Sequence, residues 1–262
     1  MRVMAKITLR VRSVLCLAAM ATIVVQVGAT GAAFASSAGQ GAGGVHGAPG
    51  SPAGHMQRPD TNNATFAGYS VQGGGEATFT VTANVVVPKL TCSSGPERAI
   101  APSVGVYNMS SNFSAASLFV GCYQGKPHYF PSLVINGANH NYATLKAGAG
   151  DKVVLHVSQS ASGTVVSVVD KSRKGVKKTL NGAGSQGGSA PWVGDSGWYN
   201  PGLLTVPNFG KIDFSGSTLD GHPFGSAGAL ARWNRVNGTT TQITTSAFAS
   251  NHESFTTVFK HS

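Results

Sequence analysis

Four residues, Gly194-Asp195-Ser196-Gly197, form the stretch of this 262-residue chain whose types and spacing most suggest chemistry. A serine between small residues can act as a nucleophile when a histidine and a carboxylate reach it. The histidines do not fit that role. His46 and His55 lie in a low-complexity segment, while His128, His140, His156, His222, His252 and His261 are scattered without a shared motif. No HExxH or His/Asp cluster at ligand spacing occurs, so no metal is expected. His156 falls within a predicted strand and reads as a solvent-face histidine. The GDSG stretch is therefore expected to be a Gly-rich turn beside Trp192 and Trp198. Asp151, Asp170, Asp213 and Asp220 fall at predicted turns or strand ends, where aspartate caps the backbone. Residues 182–188 (GAGSQGG) lack the Lys-Ser/Thr of a phosphate loop and read as a flexible loop, and no cofactor is implied.

The ends and charges of the chain bound the setting. Arg2, Lys6, Arg10 and Arg12 precede an apolar run from Val14 to Val27, and Ala33-Phe34-Ala35 offers a small-x-small cleavage site. This pattern predicts a signal peptide over 1–35, cut before Ser36, and a secreted, extracellular protein. The run is shorter than the ~20 residues of a membrane span, so the mature chain is expected to have no transmembrane segment. Four of the 19 cations leave with the leader, and the charge falls from +10 to +6. Lys171, Arg173, Lys174, Lys177 and Lys178 crowd one stretch that reads as a solvated loop. Only Cys92 and Cys122 remain after cleavage, which predicts one disulfide in an oxidising compartment. Sequons stand at Asn63, Asn108, Asn112 and Asn237.

Residues 36–63 hold Gly, Ala, Ser, Pro and His with almost no large apolar side chains, so they are expected to be a disordered tether. The domain is then 64–262, and it reads as all-β. From Glu76 to Val87 the chain alternates, with Phe79, Val81, Ala83 and Val85 on one face. Further strands are predicted at 66–72, 103–108, 115–122, 128–135, 142–146, 152–158, 164–170, 176–180, 202–206, 210–215, 230–236, 240–247 and 254–259. Hairpins are expected for 152–158 with 164–170, for 164–170 with 176–180, and for 230–236 with 240–247 around Asn237-Gly238. Such a pattern calls for two large antiparallel sheets packed face to face, a β-sandwich.

Read in order, several segments resemble the eqolisin (glutamic peptidase) family. They are Ala67-Gly68-Tyr69, Thr80 to Pro88 (TVTANVVVP), Ser103 to Asn108 (SVGVYN, similar to "WVGIDG"), and Ala116 to Gly121 at an "LQTG"-like strand. Gly150-Asp151-Lys152-Val153 resembles a "GD-x-V" turn, Ala190 to Asp195 stands where the family has "AEWIVE", and Asn208 to Phe214 is similar to "FGSVTFT". The matches are colinear over about 66–259. The GDSG spelling also resembles that of chymotrypsin-like proteases, without their "AAHC"-like histidine segment or the "GP" that follows the motif, where this chain continues with Trp198.

The eqolisin resemblance implies a concanavalin-like β-sandwich and, in active members, acid endopeptidase chemistry. There a glutamate is general base on water and a glutamine stabilises the oxyanion. By position the glutamine falls on Phe119, which can donate no hydrogen bond, and the glutamate on Asp195, one methylene shorter. The aromatic-acidic "WYEW" segment falls on Ser132-Leu133-Val134-Ile135. The catalytic pair is thus not retained, which predicts a pseudoenzyme that binds peptide, glycan or cell-wall material. Its concave sheet would be lined by Tyr107, Phe119, Tyr129 and Trp192. The alternative is an acid endopeptidase with an altered dyad, Asp195 with Gln124. The implied partners are a peptide, a protein or a cell-surface polymer, with no nucleic acid, and the chain is expected to be a monomer.

Overall fold

Alternating burial, the pattern visible in the sequence at 79–85, recurs in strand after strand of the computed structural model, which describes residues 58–71, 78–107, 113–184, 190–196 and 205–262. The strands are β1 (Arg58–Asn63), β2 (Phe66–Val71), β3 (Phe79–Val86), β4 (Arg98–Tyr107), β5 (Phe113–Tyr123) and β6 (Lys126–Ile135). Next come β7 (Ala138–Asn141), β8 (Lys152–Gln159), β9 (Thr164–Asp170), β10 (Lys177–Gly182) and β11 (Ala190–Ser196). The last are β12 (Lys211–Leu219), β13 (His222–Pro223), β14 (Leu230–Asn237), β15 (Thr240–Thr245) and β16 (Phe255–Phe259). A single 3-10 turn over Phe224–Ser226 is the only helical piece among the described residues.

The fold is an all-β sandwich, and the expected pair of sheets is one continuous ladder doubled over on itself. Its order is β10-β9-β8-β3-β12-β16-β15-β14-β2-β11-β4-β5-β6-β7. Strands β10 to β16 of this path make one layer and β14 to β7 the other, with β15 carrying the hydrogen bonds around the corner. The layers meet where β4 and β5 pack on β8, β5 and β6 on β9, and β11 on β3. Neighbours along the path run antiparallel, while β1 lies parallel to β14.

Residues of both layers share one core. Val81, Ala83, Val85, Leu155, Val157, Val166 and Val168 from one side meet Ile100, Val104, Val106, Leu118, Val120 and Leu133 from the other, all essentially without solvent exposure. Each such aliphatic side chain contributes roughly 1.5–3 kcal/mol by leaving water. At the corner, Tyr69 stacks near Phe248 and Phe255, and its hydroxyl donates to the Ser246 carbonyl at 2.7 Å.

Several boundaries differ from the sequence reading. Residues 58–63, expected to end the tether, form β1, because the backbone of β14 offers them a ladder and the Thr61 hydroxyl donates to the Arg232 carbonyl at 2.8 Å. The strand expected at 142–146 is a turn. Asn136 and Gly137, both at positive φ, reverse the chain early and put β7 at 138–141 instead. The GDSG stretch is not a turn, since Gly194, Asp195 and Ser196 lie in β11 between β2 and β4. The three expected hairpins all form. The expected leader at 1–35, residues 36–57 of the expected tether with His46 and His55, Asn108, Asn112, Trp198 and most of the strand expected at 202–206 lie outside the described residues.

Cys92 and Cys122 are bonded, with Cα atoms 5.6 Å apart and a sequence separation of 30. The bond anchors the segment after β3 to the end of β5. Closing a loop of this length restricts the unfolded chain by about 3–4 kcal/mol in the loop-entropy treatment. Replacing both cysteines by serine should lower the free energy of unfolding by about that amount, measured by denaturant titration of the oxidised protein beside the variant.

Candidate functional site

Asp195, the carboxyl that the eqolisin resemblance singles out, is turned into the sandwich. On β11, Val193 belongs to the shared core and Trp192 does not, so strand alternation sends Asp195 inward with Val193. Asp195 is 1% exposed, and Thr257 of β16, in the opposite layer, donates its hydroxyl to Asp195 Oδ2. Asp195 Oδ1 has no hydrogen-bond partner among the described residues. Arg235 of β14 acts on the carboxyl through its charge, and its Nε donates to Gln242 Oε1 of β15 at 3.0 Å. Burial pushes Asp195 up to about 7, against the downward pull of the Thr257 hydroxyl and Arg235. Burial likewise brings the Arg235 guanidinium down to about 10, against the pull of Asp195. This polar cluster joins four strands at the corner where the ladder doubles over.

Gln124 is elsewhere. It occupies the two-residue reversal between β5 and β6, with φ at +49° beside Gly125 at +72°, the geometry of a type I′ turn. Ser117 of β5 lies in the same cross-strand row as Gly194, and Gln124 is seven residues farther along, about 23 Å at strand rise. The structure does not bring Gln124 to Asp195.

The outward face of β2, β11, β4, β5 and β6 carries a different assembly. Trp192, Ala115 and Val134 form a cluster on which Phe66, Tyr107 and Phe113 pack. The indole lies directly over Gly105, where an added Cβ would stand 2.3 Å from the ring. Phe66 meets Trp192 edge-on at 5.6 Å, and Tyr107 lies 6.0 Å from it. Burial raises the Tyr107 phenol to about 12. On the same face Phe119 stacks flat on Phe130 at 4.5 Å.

Between these two aromatic groups runs a row of small residues across four strands. Gly194 of β11 is paired with Ser103 of β4, Ser103 with Ser117 of β5, and Ser117 with Ser132 of β6. The Ser103 hydroxyl bonds to the carbonyls of Ala101 and Gly194, at 2.9 and 3.2 Å. Ser132 donates to Asn139 Oδ1 at 3.2 Å. The Ser117 hydroxyl and the Trp192 indole N–H are buried without a hydrogen-bond partner among the described residues. Buried polar atoms are nearly always satisfied by protein, water or a ligand, so these two call for a polar partner beyond the described residues. Ser103, Ser117 and Ser132 are themselves without solvent exposure, so a ligand reaches the row only by opening it.

Of the four side chains expected to line a binding face, Tyr107, Phe119 and Trp192 share this one. Tyr129 does not. It pairs with Val120 and points into the shared core, where its hydroxyl accepts from the Leu90 N–H at 3.1 Å. Ser103, Ser117 and Ser132 escaped the sequence reading because nothing in any single strand sets them apart. Only the register aligns them.

A protein-family model described as the Peptidase A4 family matches residues 64–259. The chain belongs to the peptidase A4 family. This is the eqolisin, or glutamic peptidase, family that the sequence motifs resemble. Among solved structures the chain is similar to scytalido-glutamic peptidase with a peptide-based transition state analog, at 14% identity and a TM-score of 0.59, over 75% of this chain and 98% of that one. It is similar to SCP-B, a member of the eqolisin family in a complex with the tripeptide Ala-Ile-His, at 13% identity and a TM-score of 0.56, over 75% and 98% of the two chains. Aspergilloglutamic peptidase from Aspergillus niger follows at 17% identity and a TM-score of 0.50, over 62% of this chain and 99% of that one. No curated protein matches the sequence. Identities this low establish the shared fold. Within that A4 fold, the described outward-facing strand positions of β2, β11, β4, β5 and β6 hold no carboxylate.

Asp195 makes stability depend on pH. Its folded value of about 7 lies above the ordinary 3.8, so the neutral carboxyl favours folding. That contribution is complete below about pH 4 and is lost as pH rises through 7. Asp195→Asn, which stays uncharged, should therefore match the parent in acid and become more stable than it, by an amount of order 4 kcal/mol, near pH 8. Thermal unfolding of the two proteins from pH 3 to 8 checks this. Parallel profiles would remove Asp195 as the cause.

Proposed function

We propose that this protein is a secreted, non-catalytic member of the A4 family that holds an extended peptide over the serine row of its outward sheet face. One observation carries the reading: the Gly194–Ser103–Ser117–Ser132 row, bordered by Trp192 and Val134 on one side and by Phe119 and Phe130 on the other, with a buried hydroxyl at its centre that finds no partner among the described residues. Four strands at about 4.8 Å spacing give a floor of about 14 Å, the length of four residues of extended chain. The backbone groups of such a peptide can satisfy the Ser117 hydroxyl, and the flanking aromatic rings offer apolar area for its side chains. Two family members of similar fold were crystallised with peptidic ligands, which supports a peptide over a glycan as the occupant.

Absence of turnover is inferred from the site positions. A general base must lie within hydrogen-bond reach of the water it activates, and Asp195 is aimed at Thr257 on the other side of the sheet. Phe119, at the position of the oxyanion-stabilising amide, stacks on Phe130 and has no donor to offer. Export rests on the leader pattern and agrees with the Cys92–Cys122 bond. Among the described residues no helix is long and apolar enough to cross a membrane.

Two measurements test the proposal together. The domain should leave a denatured protein substrate uncut from pH 2 to 7, where acid turnover abolished by Asp195→Asn would make it a peptidase. It should bind members of a mixed tetrapeptide library, and Ser117→Val should weaken that binding about tenfold while the melting temperature stays within a few degrees. Binding that is indifferent to Ser117→Val and to Trp192→Phe would move the ligand off this face.

A further inference from the structure

The sandwich carries a second surface, at the opposite layer, whose charge is strongly one-sided. The β9–β10 hairpin presents Lys171, Arg173, Lys174, Lys177 and Lys178, the segment after β7 adds Lys146, and the start of β8 adds Lys152. These are seven of the 15 cations outside the leader. Backbone contacts hold them together. The Lys171 N–H donates to the Lys152 carbonyl at 2.7 Å, and the Lys152 N–H to the Ser172 hydroxyl at 2.9 Å. Lys178 sits 4.5 Å over the ring of Tyr142, which anchors the turn leading to Lys146. The basic run is an ordered platform, not a loose loop.

The carboxylates nearby do little to cancel it. Asp170 is buried and accepts the N–H groups of Ser172 and Arg173 at 2.8 and 3.2 Å. Asp151 is buried, accepts the Gly148 N–H at 2.6 Å and pairs with the Arg173 guanidinium. Both thus shape the turns from below, and they leave the lysines Lys146, Lys152, Lys171, Lys174 and Lys177 exposed above. Two further acids are engaged elsewhere: Asp213 pairs with Lys211 at 3.1 Å, and Asp220 accepts the Thr80 N–H at the far end of β3 from Lys152.

We propose that this platform binds a linear anionic glycopolymer. The side chains select the class. Lysine ammonium groups are strongly hydrated point charges that suit repeated carboxylates or phosphates along a polymer. Base stacking needs open aromatic faces, and the Tyr142 ring is already covered by Lys178. The one arginine of the run has its Nε engaged by Asp151. Affinity therefore comes from summed charge and counterion release, and it falls with salt. The surface is separate from the serine row and its ligand.

The test uses the full exported domain and three immobilised probes: polygalacturonate, poly(glycerol phosphate) and a 20-residue thymidine oligonucleotide. Dissociation constants are read from about 50 to 300 mM salt. Lys171→Gln, Lys174→Gln and Lys177→Gln together should weaken binding to a glycopolymer at least tenfold and lower the log–log salt slope by about 2–3. Arginine at the same three positions should retain it. The triple Lys126→Gln, Lys211→Gln, Lys260→Gln removes the same charge elsewhere and should change affinity by less than about twofold. Whichever glycopolymer binds more tightly identifies its anion as carboxylate or phosphodiester. Equal loss in the two triples would reduce the effect to net charge and overturn the site. Tightest binding to the oligonucleotide, or no binding at the lowest salt, would overturn it as well.

Discussion

Trp192 and Asp195 are three residues apart on one strand, and side chains of a strand alternate, so the two cannot share a face. The structure places the indole outside, over the bare backbone of Gly105, and the carboxyl inside against Thr257. The arrangement of the whole site depends on that parity. Gly68 and Gly194, directly paired at φ values of +149° and +156°, let β2 and β11 pass there in close contact; a Cβ on either would stand within 2.3 Å of backbone on the opposite strand. A residue with a side chain at 194 would have to displace the neighbouring strand.

An inward Asp195 changes what a conserved-looking carboxyl means. Perturbed acids do cluster at active sites, but buried structural clusters perturb them equally well. Here the opposite charge of Arg235, the Thr257 hydroxyl and the amide of Gln242 bring polar groups from four strands to the corner where the ladder turns from one layer into the other. The corner is held by a cluster whose geometry is narrow, in a region otherwise lined with Tyr69, Phe248 and Phe255. Directional bonds there specify how the layers meet, which nonpolar packing alone specifies less sharply.

Much of the fold could be read from the sequence because burial leaves its period in the residues. The face of Phe79, Val81, Ala83 and Val85 is the one that packs inward, and most strand positions fall within a few residues of expectation. The failures have local causes. Turn geometry at Asn136-Gly137 placed β7 at 138–141 and overrode the strand expected at 142–146. In β11, glycine content suggested a turn, whereas strands on both sides of it supplied every backbone partner. The site was less legible. Tyr107, Phe119 and Trp192 do share a face, but Tyr129 faces the core because the parity of β6 depends on the register of the β5–β6 turn, which no single strand reveals. The serine row is a property of four paired strands at once.

The two ends of the ladder also bear on how copies of this protein meet. A sheet that does not close presents unpaired N–H and C=O groups along its outermost strands, an invitation to add a strand from another molecule. At one end stands β10, whose exposed positions include Lys177 and whose preceding turn is crowded with ammonium groups. At the other stands β7, four exposed residues long, too short to template much pairing. A second copy approaching β10 edge-on would bring like charge against like charge. The lysines that suit an anionic polymer therefore also guard the open margin of the sheet against self-association.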